Sequence, residues 1–161
     1  MEQIKVLLID DEKEFVETLS ERIRMRDHDP EVALNGEEAL KRIQDRKPDV
    51  VILDLKMPGM DGMEVLRRIR DAYPDVPVIM LTGHGSDTDE REARKLGVFE
   101  YLNKPIDIKE LTKNIKKAYK QKIENSMIAA TFAEAGEFNT AKEILEDDED
   151  DNGESEEKKK K

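Results

Sequence analysis

The chain has 161 residues, no cysteine and a formal net charge of −11, and 42% of its residues are charged. This length suits one domain with a buried core and some additional residues. The lack of cysteine excludes disulfides and cysteine-ligated metals. The longest apolar runs are far below the ~20 residues of a membrane span, and the first predicted strand begins at Ile4. We therefore predict a cytoplasmic protein with no signal peptide and no membrane association.

The charge is concentrated towards the carboxyl end. Residues 121–161 hold 6 Lys/Arg against 13 Asp/Glu, whereas residues 1–120 hold 22 against 26. Neither part resembles the basic surface of a nucleic-acid-binding domain. The composition therefore argues against nucleic acid as a partner.

Short apolar runs alternate with amphipathic segments, which predicts β-α units and a parallel sheet covered by helices. The five predicted strands are residues 4–9, 30–34, 50–54, 78–82 and 98–103. A helix follows each strand. Helix one is indicated by the spacing of Phe15, Leu19 and Ile23, and helix four is predicted over residues 87–96, before Gly97. Helices two, three and five are indicated by capping pairs at their starts, namely Asn35/Glu38, Asp61/Glu64 and Asp107/Glu110.

The composition of the strands predicts their order in the sheet. Strands one, three and four are continuously apolar, as expected when both faces are covered by helices. Strands two and five contain Glu31 and Glu100, which is typical of sheet edges. With right-handed crossovers the order is 2-1-3-4-5. The predicted fold is thus a doubly wound α/β fold with a five-stranded parallel sheet, of the flavodoxin-like type.

Polar side chains stand where the predicted strands end, namely Asp10, Asp11, Asp54, Thr82 and Lys104. In open parallel sheets, ligands bind outside the carboxyl ends of the strands, so these side chains should share one site. Each acid alone could equally be a turn or helix cap. The combination favours a functional site.

Three converging carboxylates repel one another, each pair by roughly 4 kcal/mol at 4 Å and an effective dielectric of 20. Lys104 supplies one positive charge, and a hard divalent ion with oxygen ligands, Mg²⁺, would supply the rest. A metal ion, an amine and a hydroxyl around one exposed carboxylate suit phosphoryl transfer to Asp54. The product would be an aspartyl phosphate.

The acid pair "DD", the Asp of "VILDLKMPGMDG", the Thr of "LTG" and the "KP" after strand five resemble the receiver domain of two-component response regulators over about residues 3–120. The resemblance implies that Asp54 accepts a phosphoryl group from a histidine kinase or phosphotransfer protein. It further implies that Mg²⁺ binds Asp10, Asp11, Asp54 and the main-chain carbonyl of Lys56.

The same resemblance assigns a switch. Lys104 would bind the phosphoryl oxygens, the Thr82 hydroxyl would move to the phosphoryl group, and Tyr101 would turn inward behind it. These movements would alter the face formed by helix four, strand five and helix five, where a downstream protein would bind. The Lys104–Pro105 bond is typically cis in this family.

The two histidines carry no assigned chemistry. His84 lies in a glycine-flanked loop and is read as solvated, and His28 is read as a surface residue. The family resemblance implies only that Lys56 and His84 tune the loss of phosphate. The "PGMDG" loop lacks the Walker spacing and its lysine, so no nucleotide site is predicted.

Helix five is predicted to continue past Tyr119, through Ile123, Met127 and Ile128, to Gly136, and a second short helix follows. We predict a receiver domain at 1–120, a helical hairpin at 121–146 and a disordered charged tail at 147–161. The hairpin loosely resembles half of a tetratricopeptide repeat. Because it is too small for its own core, it should pack on the receiver, a second copy or a partner, or fray.

The preferred hypothesis is a stand-alone response regulator without a DNA-binding output domain, which signals through protein contacts from the helix four to helix five face or from the hairpin. It would not be an enzyme beyond its own phosphorylation and dephosphorylation. Two alternatives remain open. One is an adaptor with a receiver-like scaffold and no phosphoryl chemistry, and the other is an enzyme acting on a separate small substrate.

Overall fold

A computed structural model of the chain describes residues 3–134, with side chains to residue 131. Strands and helices alternate along it. The elements are β1 Lys5–Ile9, α1 Lys13–Arg24, β2 Asp29–Ala33, α2 Gly36–Asp45, β3 Val50–Leu53, α3 Gly62–Ala72, β4 Val78–Thr82, α4 Asp87–Lys95, β5 Glu100–Asn103 and α5 Ile108–Glu134.

The five strands form one parallel sheet in the order β2-β1-β3-β4-β5. The predicted order is confirmed. The register pairs Ile9 with Leu53 and Thr82 with Asn103, so the carboxyl ends of β1, β3, β4 and β5 meet at one rim. Side chains that follow those strands are therefore brought together although they are distant in the sequence.

Alternate residues of each central strand enter two different cores, because successive side chains of a strand point to opposite faces. In β1, Leu7 and Ile9 pack towards α2 and α3, whereas Val6 and Leu8 pack towards α1 and α5. All four residues of β3 are buried. This two-sided burial explains why the central strands read as unbroken apolar runs.

Helix capping follows the sequence in part. The predicted helix over residues 87–96 begins with a complete capping box: Ser86 accepts from the Asp89 N–H and Asp89 accepts from the Ser86 N–H. The predicted pairing of Asp107 with Glu110 takes a different form, since the Asp107 carboxylate accepts from the Lys109 N–H at 2.8 Å. Either arrangement satisfies a backbone donor that the first helical turn leaves free.

Helix α5 runs without interruption from Ile108 to Glu134, as the sequence predicts for this stretch. The chain divides into two units between Lys122 and Ile123. The second predicted helix and the predicted tail lie outside the described residues. Over residues 3–134, none of the helices combines the length and the apolar character needed to cross a membrane.

The prediction that His28 is a surface residue is wrong, because the residue is buried and only 5% exposed. Within the described part of the chain neither ring nitrogen has a hydrogen-bond partner. Burial lowers the pKa of His28, and the charge of Lys116 on α5 lowers it further, while Asp27 acts in the opposite direction. The residue pattern does not reveal this burial, because His28 directly precedes the polar start of β2 at Asp29.

The burial of His28 predicts a loss of stability at mildly acidic pH. Its folded pKa lies below the unfolded value of 6.5, so the unfolded chain binds the proton more readily and stability falls as pH falls through this range. We expect urea midpoints to drop between pH 7 and 5, and His28→Leu to flatten this dependence. His84→Gln, at the other, exposed histidine, is the control. An equal slope in wild type and His28→Leu would contradict the prediction.

Candidate functional site

Four of the predicted side chains lie at the rim where the strands end. Asp10 follows β1, Asp54 follows β3, Thr82 ends β4 and Lys104 follows β5. The Lys104 Nζ donates to Asp10 Oδ2 at 2.7 Å, across 94 residues of sequence. The Lys104–Pro105 peptide bond is cis, as the family resemblance implied.

Lys104 is enclosed on several sides. Its Nζ lies 3.6 Å from Glu12 Oε1 and 4.2 Å from the centre of the Phe15 ring, and its side chain is 12% exposed. Burial opposes the charged amine, but the hydrogen bond to Asp10 and the charges of Asp10, Asp54 and Glu12 outweigh it and raise the pKa of Lys104. The amine is therefore a fixed positive charge of the site.

Asp54 is more deeply placed than the sequence suggested, because it is 2% exposed and so not an exposed carboxylate. The loop after β3 is packed into the fold: Leu55 and Met57 are buried, and the Gly62 N–H donates to the Leu55 carbonyl at 2.8 Å. Burial and the charge of Asp10 raise the pKa of Asp54, while Lys104 and the Thr82 hydroxyl lower it. Among the described residues, none is a hydrogen-bond partner of its Oδ1.

Three carboxylates converge at the rim, namely those of Asp10, Glu12 and Asp54, with ligand oxygens within 4.8 Å of one another. Glu12 was not predicted. Its signal is weak: it extends the acid pair to "DDE" and precedes α1, and its N–H donates to Asp10 Oδ1 at 2.9 Å. The Asp11 side chain is exposed and is not in this group. A metal role for Asp11 and for the Lys56 carbonyl stays a prediction.

The donor set fits a divalent cation. Three carboxylates lie near one amine, and one oxygen of Asp54, Oδ1, is buried with no hydrogen-bond partner among residues 3–134. Hard oxygen donors of this kind bind ions such as Mg²⁺ or Ca²⁺. The cluster could thus hold a metal through Asp10, Glu12 and Asp54.

Thr82 and Tyr101, the two predicted switch residues, lie next to each other. Thr82 is fully buried, and its Oγ1 accepts from the His84 N–H at 3.2 Å. The Tyr101 ring already points inward and is 6% exposed. A methyl group on Gly85 would lie 1.6 Å from the Tyr101 hydroxyl and 3.1 Å from the Thr82 methyl. The missing side chain at Gly85 is therefore what leaves room for the tyrosine.

Gly85→Ala should expel Tyr101 from this position, because the hydroxyl and a methyl group cannot share the space. Burial, together with Asp89, Glu90 and Asp54, raises the pKa of Tyr101. We expect this pKa to fall towards its ordinary value in the variant. Tyrosinate absorbance, taken as the difference from the matching Tyr101→Phe protein, measures it.

Gly83→Ala is the matched control in the same loop, since a methyl group there makes only ordinary contacts of 3.7 Å with Lys104. It should leave the Tyr101 titration where it is in the wild type. An unchanged pKa in Gly85→Ala would show that the loop moves and the tyrosine stays.

Comparison with known proteins agrees with this geometry. The family described as "Response regulator receiver domain" matches residues 6–116. The chain is 34% identical over 113 residues to the sporulation initiation phosphotransferase F of Bacillus subtilis, covering 70% of this chain and 91% of that protein. It is 33% identical over 112 residues to the alkaline phosphatase synthesis transcriptional regulatory protein PhoP of the same organism, covering 70% and 47%.

Solved structures show the same fold. A response regulator receiver domain protein from Clostridium thermocellum aligns with a TM-score of 0.71 and 36% identity, covering 74% of this chain and 96% of that one. A CheY-like receiver domain protein from Methanospirillum hungatei aligns with a TM-score of 0.74 at 22% identity, covering 77% and 99%. The chain spans about half of the regulator PhoP and a quarter of the regulatory protein AtoC of Escherichia coli.

A five-stranded doubly wound sheet with an acid cluster, a threonine and a lysine at its carboxyl rim defines a receiver domain. The chain belongs to the response regulator receiver family. The resemblance first seen in the motifs is thereby confirmed.

Proposed function

We propose that Asp54 is the phospho-acceptor of this receiver and takes its phosphoryl group from a histidine kinase or a phosphotransfer protein. The observation that carries the proposal is the surroundings of Asp54: its carboxylate lies near Asp10, the fixed Lys104 amine and the Thr82 hydroxyl, and no residue in the described part of the chain hydrogen-bonds to its Oδ1. A carboxylate oxygen of Asp54 forms the new P–O bond as the P–N bond of the donor phosphohistidine breaks. The imidazole leaves with the electron pair.

The neighbouring side chains supply positioning and charge. The positively charged Lys104 amine lies where it can donate to the phosphoryl oxygens and offset their negative charge. The Thr82 hydroxyl can donate a hydrogen bond to one of the same oxygens. Asp10, Glu12 and Asp54 would hold the metal, which we propose to be Mg²⁺, with Asp11 and the Lys56 carbonyl as further candidate ligands. When bound, Mg²⁺ would offset the negative charge of the carboxylates and the phosphoryl group.

The phosphoryl group replaces one carboxylate with a group of charge about −1.5 to −2. Thr82 then has a stronger partner, and a shift of its side chain would affect Gly85 and Tyr101, which lie close to it. We propose that this biases the face formed by α4, β5 and the start of α5 between two arrangements. The protein acts on no separate substrate in this scheme.

Output is proposed to pass through protein contacts. Three large apolar side chains on the last part of α5 are exposed, with Ile123 at 38%, Met127 at 63% and Ile128 at 58%. Exposed apolar groups at successive turns of a helix support a protein-binding role for this segment. The partner would be a downstream target, bound through this segment or through the α4, β5 and α5 face.

Intact mass after incubation with Mg²⁺ and acetyl phosphate tests the proposed function. We expect one added phosphoryl group on the wild type and none on Asp54→Asn. Asp71→Asn, an exposed acid on α3, is the control and should be modified like the wild type. No phosphoryl group on any of the three proteins would favour the adaptor hypothesis instead.

A further inference from the structure

Phe15 on α1 lies between the site and the protein surface. Its ring centre is 4.2 Å from the Lys104 Nζ. The ring also lines a groove of about 350 Å³ that is bounded by Leu19, Ile106 and Ile108, among others. It is only partly buried, although it packs against the core that α1 shares with α5. The Phe15 side chain thus does more than fill space within the core.

The Lys104 amine has two kinds of contact. Asp10 and Glu12 attract it by charge, at 2.7 Å and 3.6 Å, and the Phe15 ring attracts it through the negative face of its π-system. Because the lysine side chain is only 12% exposed, little water competes with the ring. A cation–π contact is strongest under such conditions.

The carboxylates and the ring differ in what else they can bind. Asp10 and Glu12 also belong to the group of acids that could hold a metal ion, so a bound cation would compete with the amine for their oxygens. The ring takes no part in that competition. The contact between the ring and the Lys104 amine would remain when Asp10 and Glu12 bind a metal ion.

We propose that Phe15 is a positioning residue for Lys104: its ring holds the amine at the site so that the positive charge stays directed at Asp54. This inference rests on the proposed function, because the amine is held there for the phosphoryl group. An aliphatic side chain of similar size would fill the same space but would lack the attraction for a cation.

The first test compares rates of phosphorylation by acetyl phosphate and Mg²⁺, measured by intact mass. Phe15→Leu should slow the reaction about three- to tenfold, which is the effect of losing one partly desolvated cation–π contact. Phe15→Tyr keeps the aromatic face and should restore most of the rate. Leu19→Met, a volume-conserving change in the same groove, is the control and should react at the wild-type rate.

The second test measures the contact without the reaction. Urea unfolding of Phe15→Leu, Lys104→Met and the double variant forms a double-mutant cycle. We expect the destabilisation caused by Phe15→Leu to be clearly smaller in the Lys104→Met background, with and without Mg²⁺. Purely structural packing of the ring would give the same destabilisation in both backgrounds.

The outcomes separate the two proposals. Additive variants in the cycle, or a Phe15→Leu rate within about twofold of wild type, would overturn the positioning role while leaving phosphorylation of Asp54 intact. An equal slowing of Phe15→Leu and Leu19→Met would also overturn it, because the effect would then be repacking of the groove. A wild type that takes up no phosphoryl group would instead defeat the proposed function.

Discussion

Gly62→Ala is expected to destabilise the protein by about 3 kcal/mol or more, in the range of severe overpacking. A methyl group at Gly62 would lie 2.2 Å from the Asp54 carbonyl oxygen, 2.7 Å from the Leu55 Cα and 2.9 Å from the Leu55 carbonyl oxygen. All three are backbone atoms, which cannot rotate away as a side chain does. The start of α3 would have to move off the end of β3.

The same change should impair the site. The hydrogen bond from the Gly62 N–H to the Leu55 carbonyl ties the start of α3 to the residue that follows Asp54, so a displaced α3 would disturb the backbone that positions the carboxylate. We expect Gly62→Ala to take up a phosphoryl group from acetyl phosphate more slowly than wild type, even under conditions where the variant remains folded.

Gly59→Ala in the same loop separates crowding from backbone strain. Gly59 has φ of +77°, but a methyl group there would meet nothing within 4 Å. This control should lose only about 1–2 kcal/mol, the penalty for a left-handed conformation. Urea unfolding of both variants gives the comparison. A Gly62→Ala protein as stable as Gly59→Ala would show that the described contact between α3 and β3 is wrong.

Asp54→Asn is expected to stabilise the protein at neutral pH by about 1–3 kcal/mol, the range for relieving an unsatisfied buried polar group. Burial and the neighbouring Asp10 raise the pKa of Asp54 above its unfolded value. A group of this kind favours the fold only while it is protonated, and its contribution is lost as pH rises through the folded pKa. The asparagine amide does not ionise, so the variant does not lose this stability as pH rises, and the amide can donate a hydrogen bond to Asp10.

The pH dependence identifies the cause. The stability gained by Asp54→Asn should be largest at pH 7 and should shrink as pH falls towards the unfolded pKa of Asp54, where wild type also carries a proton. Urea midpoints across this range measure it, with the exposed Asp71→Asn as the control for loss of one negative charge. A gain that stays constant with pH would mean that the charge of Asp54 is not the source.

Added Mg²⁺ provides an independent check, because a ligand that binds only the folded state stabilises it, and more so the more tightly it binds. We expect Mg²⁺ to raise the urea midpoint of wild type more than that of Asp54→Asn, which lacks one of the three carboxylates. Equal increases in both proteins would place the cation elsewhere.

The local pattern of the sequence determined the fold of residues 3–134. Unbroken apolar runs identified β1, β3 and β4 as central, and the acids Glu31 and Glu100 placed β2 and β5 at the edges, because only a helix-covered strand can be apolar on both faces. The strand ends in turn identified Asp10, Asp54, Thr82 and Lys104, since parallel strands bring their carboxyl ends to one rim. These features depend on periodicity and connection rules, which a sequence displays directly.

Only the tertiary structure decided which neighbours complete the site. The sequence did not indicate Glu12, whose carboxylate lies with those of Asp10 and Asp54 in the folded chain, and a metal role for Asp11 stays a prediction. The burial of His28 and the place of Phe15 beside Lys104 likewise depend on packing between elements far apart in the chain. A pattern of residue types records which side chains are present, and the distances between them arise only when the helices close over the sheet.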